Sequence, residues 1–141
     1  NPAATAGKAA MVKKCMIVST VIDCLGLCKV PTLSLLGTFD LENEAVLASA
    51  ITGLHLSADD LFRVGERVAA MERLFNLRMQ PDAGCDSLPR MFFDDPAGRL
   101  TAAGMEHMRQ DFYTAMGWEA DGRVKTEGLT DFFKPEIQKG A

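Results

Sequence analysis

The chain of 141 residues is 48% hydrophobic and 24% charged, and its formal net charge is −4. This length suits one domain with its own hydrophobic core, and the acidic balance argues against a surface that binds nucleic acid. The sequence has no apolar run near the roughly 20 residues of a membrane span, and no basic and apolar segments typical of a secretory signal. With four cysteines in this length, the composition favours reduced thiols in a cytoplasmic protein over a disulfide scaffold.

The first predicted helix covers residues 3–25 and ends in the stretch VIDCLGLCK, residues 21–29. Its apolar residues recur at helical spacing, at Met11, Cys15, Val18, Ile22 and Leu25. Further apolar residues off this stripe predict that the second half of the helix is buried on several sides. The β-branched residues of 17–22 leave a strand open as an alternative. Gly26 is expected to adopt the left-handed conformation that follows many helices, and Pro31 to prevent continuation of the helix.

Three further helices and a long loop are predicted downstream. A helix at 41–52 is followed by one that begins at the Ser57 cap, and residues 79–100 form a loop before a helix at 101–116. The expected apolar stripe of the helix after Ser57 consists of Leu61, Val64, Val68, Met71 and Phe75. Gly65, in the middle of that helix, indicates a close helix–helix approach.

A turn at 121–122 and a last short helix at 126–133 complete the predicted fold. The fold class is all-α: an irregular domain of about five helices with long loops, spanning residues 1–141 as one domain.

The cysteines give a weak indication of metal chemistry. Cys24 and Cys28 are four residues apart, so on a continuous helix they would share a face and supply half of a tetrahedral metal site. No further ligands stand at metal-binding spacing. Cys15, Cys24 and Cys85 are therefore interpreted as free thiols that behave as small hydrophobic residues.

Asp23 and Cys28 are harder to explain by packing. Both form anions, and the C-terminal end of a helix disfavours anions. A metal would keep the Cys28 thiolate deprotonated, a planar donor edge such as that of a pterin would satisfy Asp23, and Gly26 would let a ligand approach the backbone. His55 and His107 are single histidines without acidic or cysteine companions, which favours surface or packed roles.

Several segments together resemble the tungsten-containing aldehyde:ferredoxin oxidoreductase family. Residues 23–29 are similar to the family's D-x-x-G-L-C motif, and residues 7–14 to the segment that enters this helix. Residues 65–78 resemble its G-E-R…E-R-L-F-N-x-R helix. Asp86-Ser87-Leu88-Pro89, Gly117-Trp118 and Asp121-Gly122-Arg123 follow in the same order. One departure is Met79-Gln80, where the family more often has an acidic residue and glycine.

The resemblance implies a part of an enzyme that oxidises aldehydes to carboxylic acids. Its metal, tungsten or molybdenum, is held by two pterins (tungstopterin or molybdopterin), and one [4Fe–4S] cluster passes electrons to ferredoxin. By the same resemblance Cys28 is one cluster ligand, and Asp23 binds pterin nitrogens beside the backbone of Leu27 and Lys29.

The family's C-x-x-C-x-x-x-C segment and its second D-x-x-G-L motif do not occur in this sequence. The chain is therefore interpreted as the C-terminal helical domain of a larger enzyme, with the cofactor-cradling domain, the middle domain and the active-site acid and histidine upstream. The isolated chain is expected to hold no stable cluster or other cofactor and to be inactive. Apolar residues around 21–36 are expected to be exposed and to cause weak self-association.

Two other classes of function remain open. One is a stand-alone thiol-based metal or redox protein that uses Cys24 and Cys28. The other is a helical protein-interaction module without chemistry of its own.

Overall fold

The protein is helical in the part of the chain that its computed structural model describes, residues 5–35, 39–80, 86–94 and 100–125. The helices are α1 (Lys8–Cys24), α2 (Lys29–Leu35), α3 (Glu42–Thr52), α4 (Ala58–Met79) and α5 (Ala102–Met116). A short 3₁₀ helix, Arg90–Phe92, precedes α5. The predicted all-α class is confirmed.

The turn predicted at 121–122 is present, where an isolated β-bridge joins Trp118 to Val124 and Gly122 donates to the Glu119 carbonyl. The helix predicted at 126–133 lies outside the described residues. None of the helices in the described ranges is both long and apolar enough to cross a membrane.

The described chain falls into two compact units, Lys14–Glu72 on the one hand and the residues up to Lys13 with Arg73–Lys125 on the other. The expectation of one domain over residues 1–141 stays a prediction.

Helix α2 was not predicted from the sequence, where Pro31 was interpreted as a block. Pro31 is the third residue of α2. The first backbone N–H groups of a helix have no acceptor within it, so a proline in the first turn removes no helical hydrogen bond. Pro31 therefore lies in the first turn of a new helix, while α1 has already ended at Cys24.

The second half of α1 forms the centre of the unit Lys14–Glu72. The core cluster consists of Val18, Val21, Ile22, Leu41, Ala45 and Leu61. Burial of α1 on several sides is thus confirmed, since Val21 and Ile22 are 1% and 0% exposed. The expectation that the apolar residues around 21–36 are exposed is wrong for these two, although Val30 is exposed. The side chains of 33–38 lie outside the description.

The buried side of α4 carries mostly small residues. These buried residues are Leu61, Gly65, Ala69 and Ala70. A Cβ atom on Gly65 would lie 2.7 Å from Ile17 Cγ2, 2.9 Å from Val21 Cγ2 and 3.0 Å from the Ile17 carbonyl oxygen. The absence of a side chain at Gly65 therefore lets α1 and α4 come into close contact, as expected from the sequence.

The apolar stripe predicted for α4 is only partly correct. Leu61 is buried, whereas Val64, Met71 and Phe75 are 37%, 53% and 63% exposed. Close contact with α1 selects the side of the helix with small residues, which turns the bulkier residues outward. Hydrophobic spacing alone does not distinguish these two sides.

A polar and aromatic cluster organises the unit that contains Arg73–Lys125. Arg73 Nη1 donates to Asp86 Oδ1 at 3.0 Å, and the Tyr113 hydroxyl donates to Asp86 Oδ2. Arg73 Nε donates to the Gly122 carbonyl at 2.9 Å, and its guanidinium lies 5.2 Å from the centre of the Trp118 ring. Four of the segments that carry the family resemblance therefore meet in one structural cluster.

The cluster shifts two pKa values in opposite directions. Burial raises the pKa of Tyr113 to about 12, and the neighbouring Asp86 carboxylate adds to this increase. Burial alone would raise the pKa of Asp86, but hydrogen bonds from Arg73 and Tyr113 outweigh it and hold this pKa below its ordinary value. The contribution of Asp86 to stability is lost as the pH falls through its lowered pKa. That of Tyr113 is lost as the pH rises from 10.0 to about 12.

The Gly65→Ala variant is expected to lower the free energy of unfolding by about 1–2 kcal/mol, because overpacking outweighs the better helix propensity of alanine. Urea unfolding followed by circular dichroism measures the change. Gly104→Ala in the first turn of α5 is the control, since its Cβ would meet only the Thr101 hydroxyl at 3.1 Å and a methyl group at 3.7 Å. Equal effects of the two substitutions would contradict the close contact of α1 and α4.

The Tyr113→Phe variant is expected to be less stable than the wild type at pH 8, with a difference that shrinks between pH 10 and 12. The raised pKa of Tyr113 stabilises the folded wild type only while the phenol stays protonated. Urea midpoints of both proteins at pH 8, 10, 11 and 12 provide the test. A constant difference over this range would show that the phenol does not titrate with a raised pKa.

Candidate functional site

The turn after α1 has the hydrogen bonds of a Schellman motif. Gly26 N donates to the Asp23 carbonyl at 3.0 Å, and Leu27 N donates to the Ile22 carbonyl at 3.0 Å. This pair of bonds requires a left-handed residue just past the helix end. Gly26 has φ +68°, as predicted, a conformation that glycine adopts without steric cost.

Leu27 completes this turn by packing. Leu25 and Leu27 are partly buried against the core cluster that contains Ile22, which is the apolar contact that often accompanies a Schellman motif. Folding therefore explains both the glycine and the leucine of the D-x-x-G-L-C stretch.

Folding does not explain Asp23 and Cys28. The Asp23 side chain is 61% exposed, and Cys28 is also exposed. A turn fixed by backbone hydrogen bonds thus presents a carboxylate and a thiol on the surface. Packing does not explain why these two side chains are an acid and a thiol, which favours a functional role for both.

The Asp23 carboxylate has a partner that the sequence analysis did not identify. Lys29 Nζ lies 2.6 Å from Asp23 Oδ2, and the Lys29 side chain is 41% exposed. Ion pairs as exposed as this one contribute about 0–1 kcal/mol, so a ligand with suitable donors can replace the lysine at little cost. The only sequence signal was an acid in the last helical turn with a lysine six residues later.

The structure corrects the expected position of Cys28. The sequence analysis placed Asp23 and Cys28 together at the end of one helix, but α1 ends at Cys24 and Cys28 directly precedes α2. The Thr32 hydroxyl donates to the Cys28 carbonyl at 2.8 Å, which holds the Cys28 backbone in place. The helix-end argument therefore applies to Asp23 alone, and Lys29 provides its compensating cation.

The other sulfur and imidazole candidates are separate from this turn. Cys15 and Cys24 are free thiols, as interpreted, but both are exposed, so they do not pack as small hydrophobic residues do; Cys85 lies outside the described residues. His55 and His107 are both exposed, in agreement with a surface role. The expectation that His107 has no acidic companion is wrong, since Asp111 lies one helical turn away, with 3.5 Å between Nε2 and Oδ2.

The described residues include no group of three or more His, Cys, Asp or Glu side chains placed to hold a metal ion. An exposed thiol suits one ligand of an iron–sulfur cluster, which takes four thiolates. An exposed carboxylate suits two parallel hydrogen bonds from a planar donor edge. Cys28 therefore has the chemistry of one ligand in a cluster site, and Asp23 has that of one contact in a pterin site.

Comparisons with known proteins match the chain to one family. The family model described as aldehyde ferredoxin oxidoreductase, domains 2 and 3, matches residues 1–132. A tungsten-containing aldehyde ferredoxin oxidoreductase from Pyrococcus horikoshii is 34% identical over 118 residues, which cover 80% of this chain and 19% of that protein. Its counterpart from Thermococcus kodakarensis is 33% identical over 124 residues, 81% of this chain and 20% of that protein.

The Pyrococcus furiosus protein of the same name is 32% identical over 118 residues. No solved structure shows a significant match. The chain spans about a fifth of the length of the curated relatives it matches. With nearly its whole length matched by the family model, this chain belongs to the aldehyde ferredoxin oxidoreductase family.

Proposed function

We propose that this chain is part of an oxidoreductase that oxidises aldehydes to carboxylic acids and passes the electrons to ferredoxin. The observation that carries the proposal is the surface turn of residues 23–29, where the two side chains that folding does not explain are an acid and a thiol. Family membership supports it, and the names of the relatives specify tungsten, aldehyde and ferredoxin. The remaining domains of the parent polypeptide would supply the other groups, in a cytoplasmic enzyme.

Cys28 is proposed as one of the four thiolate ligands of a [4Fe–4S] cluster. Its backbone is fixed by the Schellman turn on one side and by Thr32 on the other. Its side chain is exposed, so it can reach a cluster held mainly by other parts of the enzyme. Cys24 belongs to the last turn of α1 and has no role in this proposal.

Asp23 is proposed to bind the amino-pyrimidine edge of a tungstopterin or molybdopterin. Its carboxylate can accept two parallel hydrogen bonds from such an edge. The exposed ion pair with Lys29 can be exchanged for these bonds. The backbone of Leu27 and Lys29 would line the same ligand, since both residues belong to the turn that carries Asp23.

When bound, the metallopterin and the cluster supply the redox chemistry, in which aldehyde and water give a carboxylic acid, two protons and two electrons. This chain's own residues bind and orient these groups. By holding a cluster ligand five residues from a pterin-binding acid, the turn would keep the two cofactors close together and the electron path short.

In the parent polypeptide, Cys28→Ser is expected to remove most of the cluster, because a hydroxyl is a poor replacement for a thiolate ligand. Iron, acid-labile sulfide and visible absorbance of the purified protein measure the loss. Cys24→Ser is the matched control and is expected to keep its iron. Equal losses from both variants would instead favour a site built on the Cys24–Cys28 pair, and no loss from either would refute a role for Cys28.

The Asp23→Asn variant is expected to affect pterin binding but not the cluster. It should keep its iron but bind the pterin about ten- to a hundredfold more weakly, as loss of a charged hydrogen-bond acceptor costs about 1.5–3 kcal/mol. Tungsten or molybdenum and pterin retained after dialysis give the readout. Glu72→Gln removes an exposed carboxylate on α4 and is expected to have no effect. Normal metal and pterin retention in the Asp23 variant would exclude a pterin-binding role.

A further inference from the structure

The exposed side of helix α3 carries large apolar residues along much of its length. Residues 45–52 contain no charged side chain. Glu44, Ala45 and Ala48 are buried, whereas Val46, Leu47 and Ile51 are 71%, 41% and 75% exposed. Large apolar residues exposed this close together on one helix mark an interaction surface. The four exposed apolar residues of α3, Val46, Leu47, Ala50 and Ile51, are called the α3 surface below.

A groove of about 370 Å³ lies along one edge of the α3 surface, between α3 and the start of α4. Its apolar walls are formed by Ala45, Val46, Leu56 and Ala58. Ser49 holds the two walls together, since its hydroxyl accepts from Leu56 N at 3.0 Å and donates to the Leu56 carbonyl at 3.2 Å. The groove is thus a fixed feature of one compact unit.

The charge of the groove indicates the chemistry of its occupant. Among the described residues that line it, the ionisable ones are Glu42 and Asp59, both acidic, and none is basic. Both side chains belong to exposed residues in the first turns of their helices. An apolar wall with an acidic rim is complementary to a side chain with an aliphatic stem and a cationic head, such as Lys or Arg.

We propose that the α3 surface and its groove are the docking site for a basic, apolar segment of the remaining parent polypeptide. Apolar side chains of that segment cover Val46, Leu47 and Ile51, while a lysine or arginine enters the groove between Glu42 and Asp59. The identity of the occupant rests on the proposed function, because it requires a parent enzyme. The matched relatives are about five times longer than the aligned part of this chain.

A second copy of this chain suits the surface less well. In a twofold interface the same patch meets itself, so an interface centred on the groove brings Glu42 and Asp59 of one copy close to the same acids of the other. Like charges brought together at an interface are unfavourable. The acidic rim therefore favours a basic segment over self-association.

Side-chain footprinting of the complete parent protein tests the proposal. Photochemical labelling of Val46, Leu47 and Ile51 is measured by mass spectrometry and normalised to the denatured protein. For a covered α3 surface we expect labelling of roughly a tenth of the denatured value, as in an interface core. An open surface gives values close to the exposed fractions of 41–75%, and that result overturns the proposal.

Two variants test whether protection of the α3 surface from labelling depends on the residues of α3. Val46→Glu is expected to increase labelling of Leu47 and Ile51 several-fold, because it would bury a carboxylate beneath the apolar side chains that cover α3. Met79→Glu is the matched control: Met79 is 66% exposed, lies at the end of α4 and does not line the groove. It should leave labelling of α3 unchanged, and an equal increase in both variants contradicts a specific docking site. The wild-type measurement remains decisive if a variant fails to fold.

Three further readouts separate the possible occupants. Labelling that decreases with protein concentration indicates a second copy and overturns a docked parent segment. In Glu42→Gln combined with Asp59→Asn, unchanged protection overturns the basic character of the segment. Tungsten, molybdenum and iron contents are measured on the same samples to keep the two proposals apart. A covered α3 surface in a protein that holds none of these metals refutes the proposed function but not the docking.

Discussion

The left-handed turn at Gly26 is the constraint on which the candidate site depends. It ends α1 through two backbone hydrogen bonds, packs the partly buried Leu27 against the same core as Ile22, and lets a second helix begin within three residues. A side chain at this position would meet no neighbouring atom, so the requirement for glycine comes from its φ angle and not from crowding. Asp23 and Cys28 are positioned on either side of this turn.

The residues that carry the family resemblance serve two different purposes. Arg73, Asp86 and Trp118 form a partly buried cluster with interlocking contacts. These three residues are therefore explained by the stability of the fold. Asp23 and Cys28 are exposed and contribute little to packing. Sequence similarity treats both groups alike, whereas burial and hydrogen bonding distinguish a residue that holds the fold from one that is available to a cofactor.

The sequence predicted those features that depend on local chemistry. Gly26 and the Ser57 cap of α4 appear as expected, because each follows from the conformation or hydrogen bonding of a few neighbouring residues. Features that depend on tertiary contacts were not predictable in the same way. The exposed positions of Met71 and Phe75 result from the close contact of Gly65 with α1. The Asp23–Lys29 pair depends on α2, a short helix that the sequence analysis missed.

The central claim is that Cys28, and neither of the other two thiols described, belongs to a cofactor site. All three are exposed in this chain, so a bound cluster should be what makes them differ. Anaerobic alkylation of the complete, metal-loaded parent enzyme, followed by peptide mass spectrometry, compares them within one sample. The account predicts that Cys15 and Cys24 react while Cys28 is protected, and that removal of iron by a chelator makes Cys28 reactive. Rapid alkylation of Cys28 in the loaded enzyme, equal to that of Cys24, would contradict the claim.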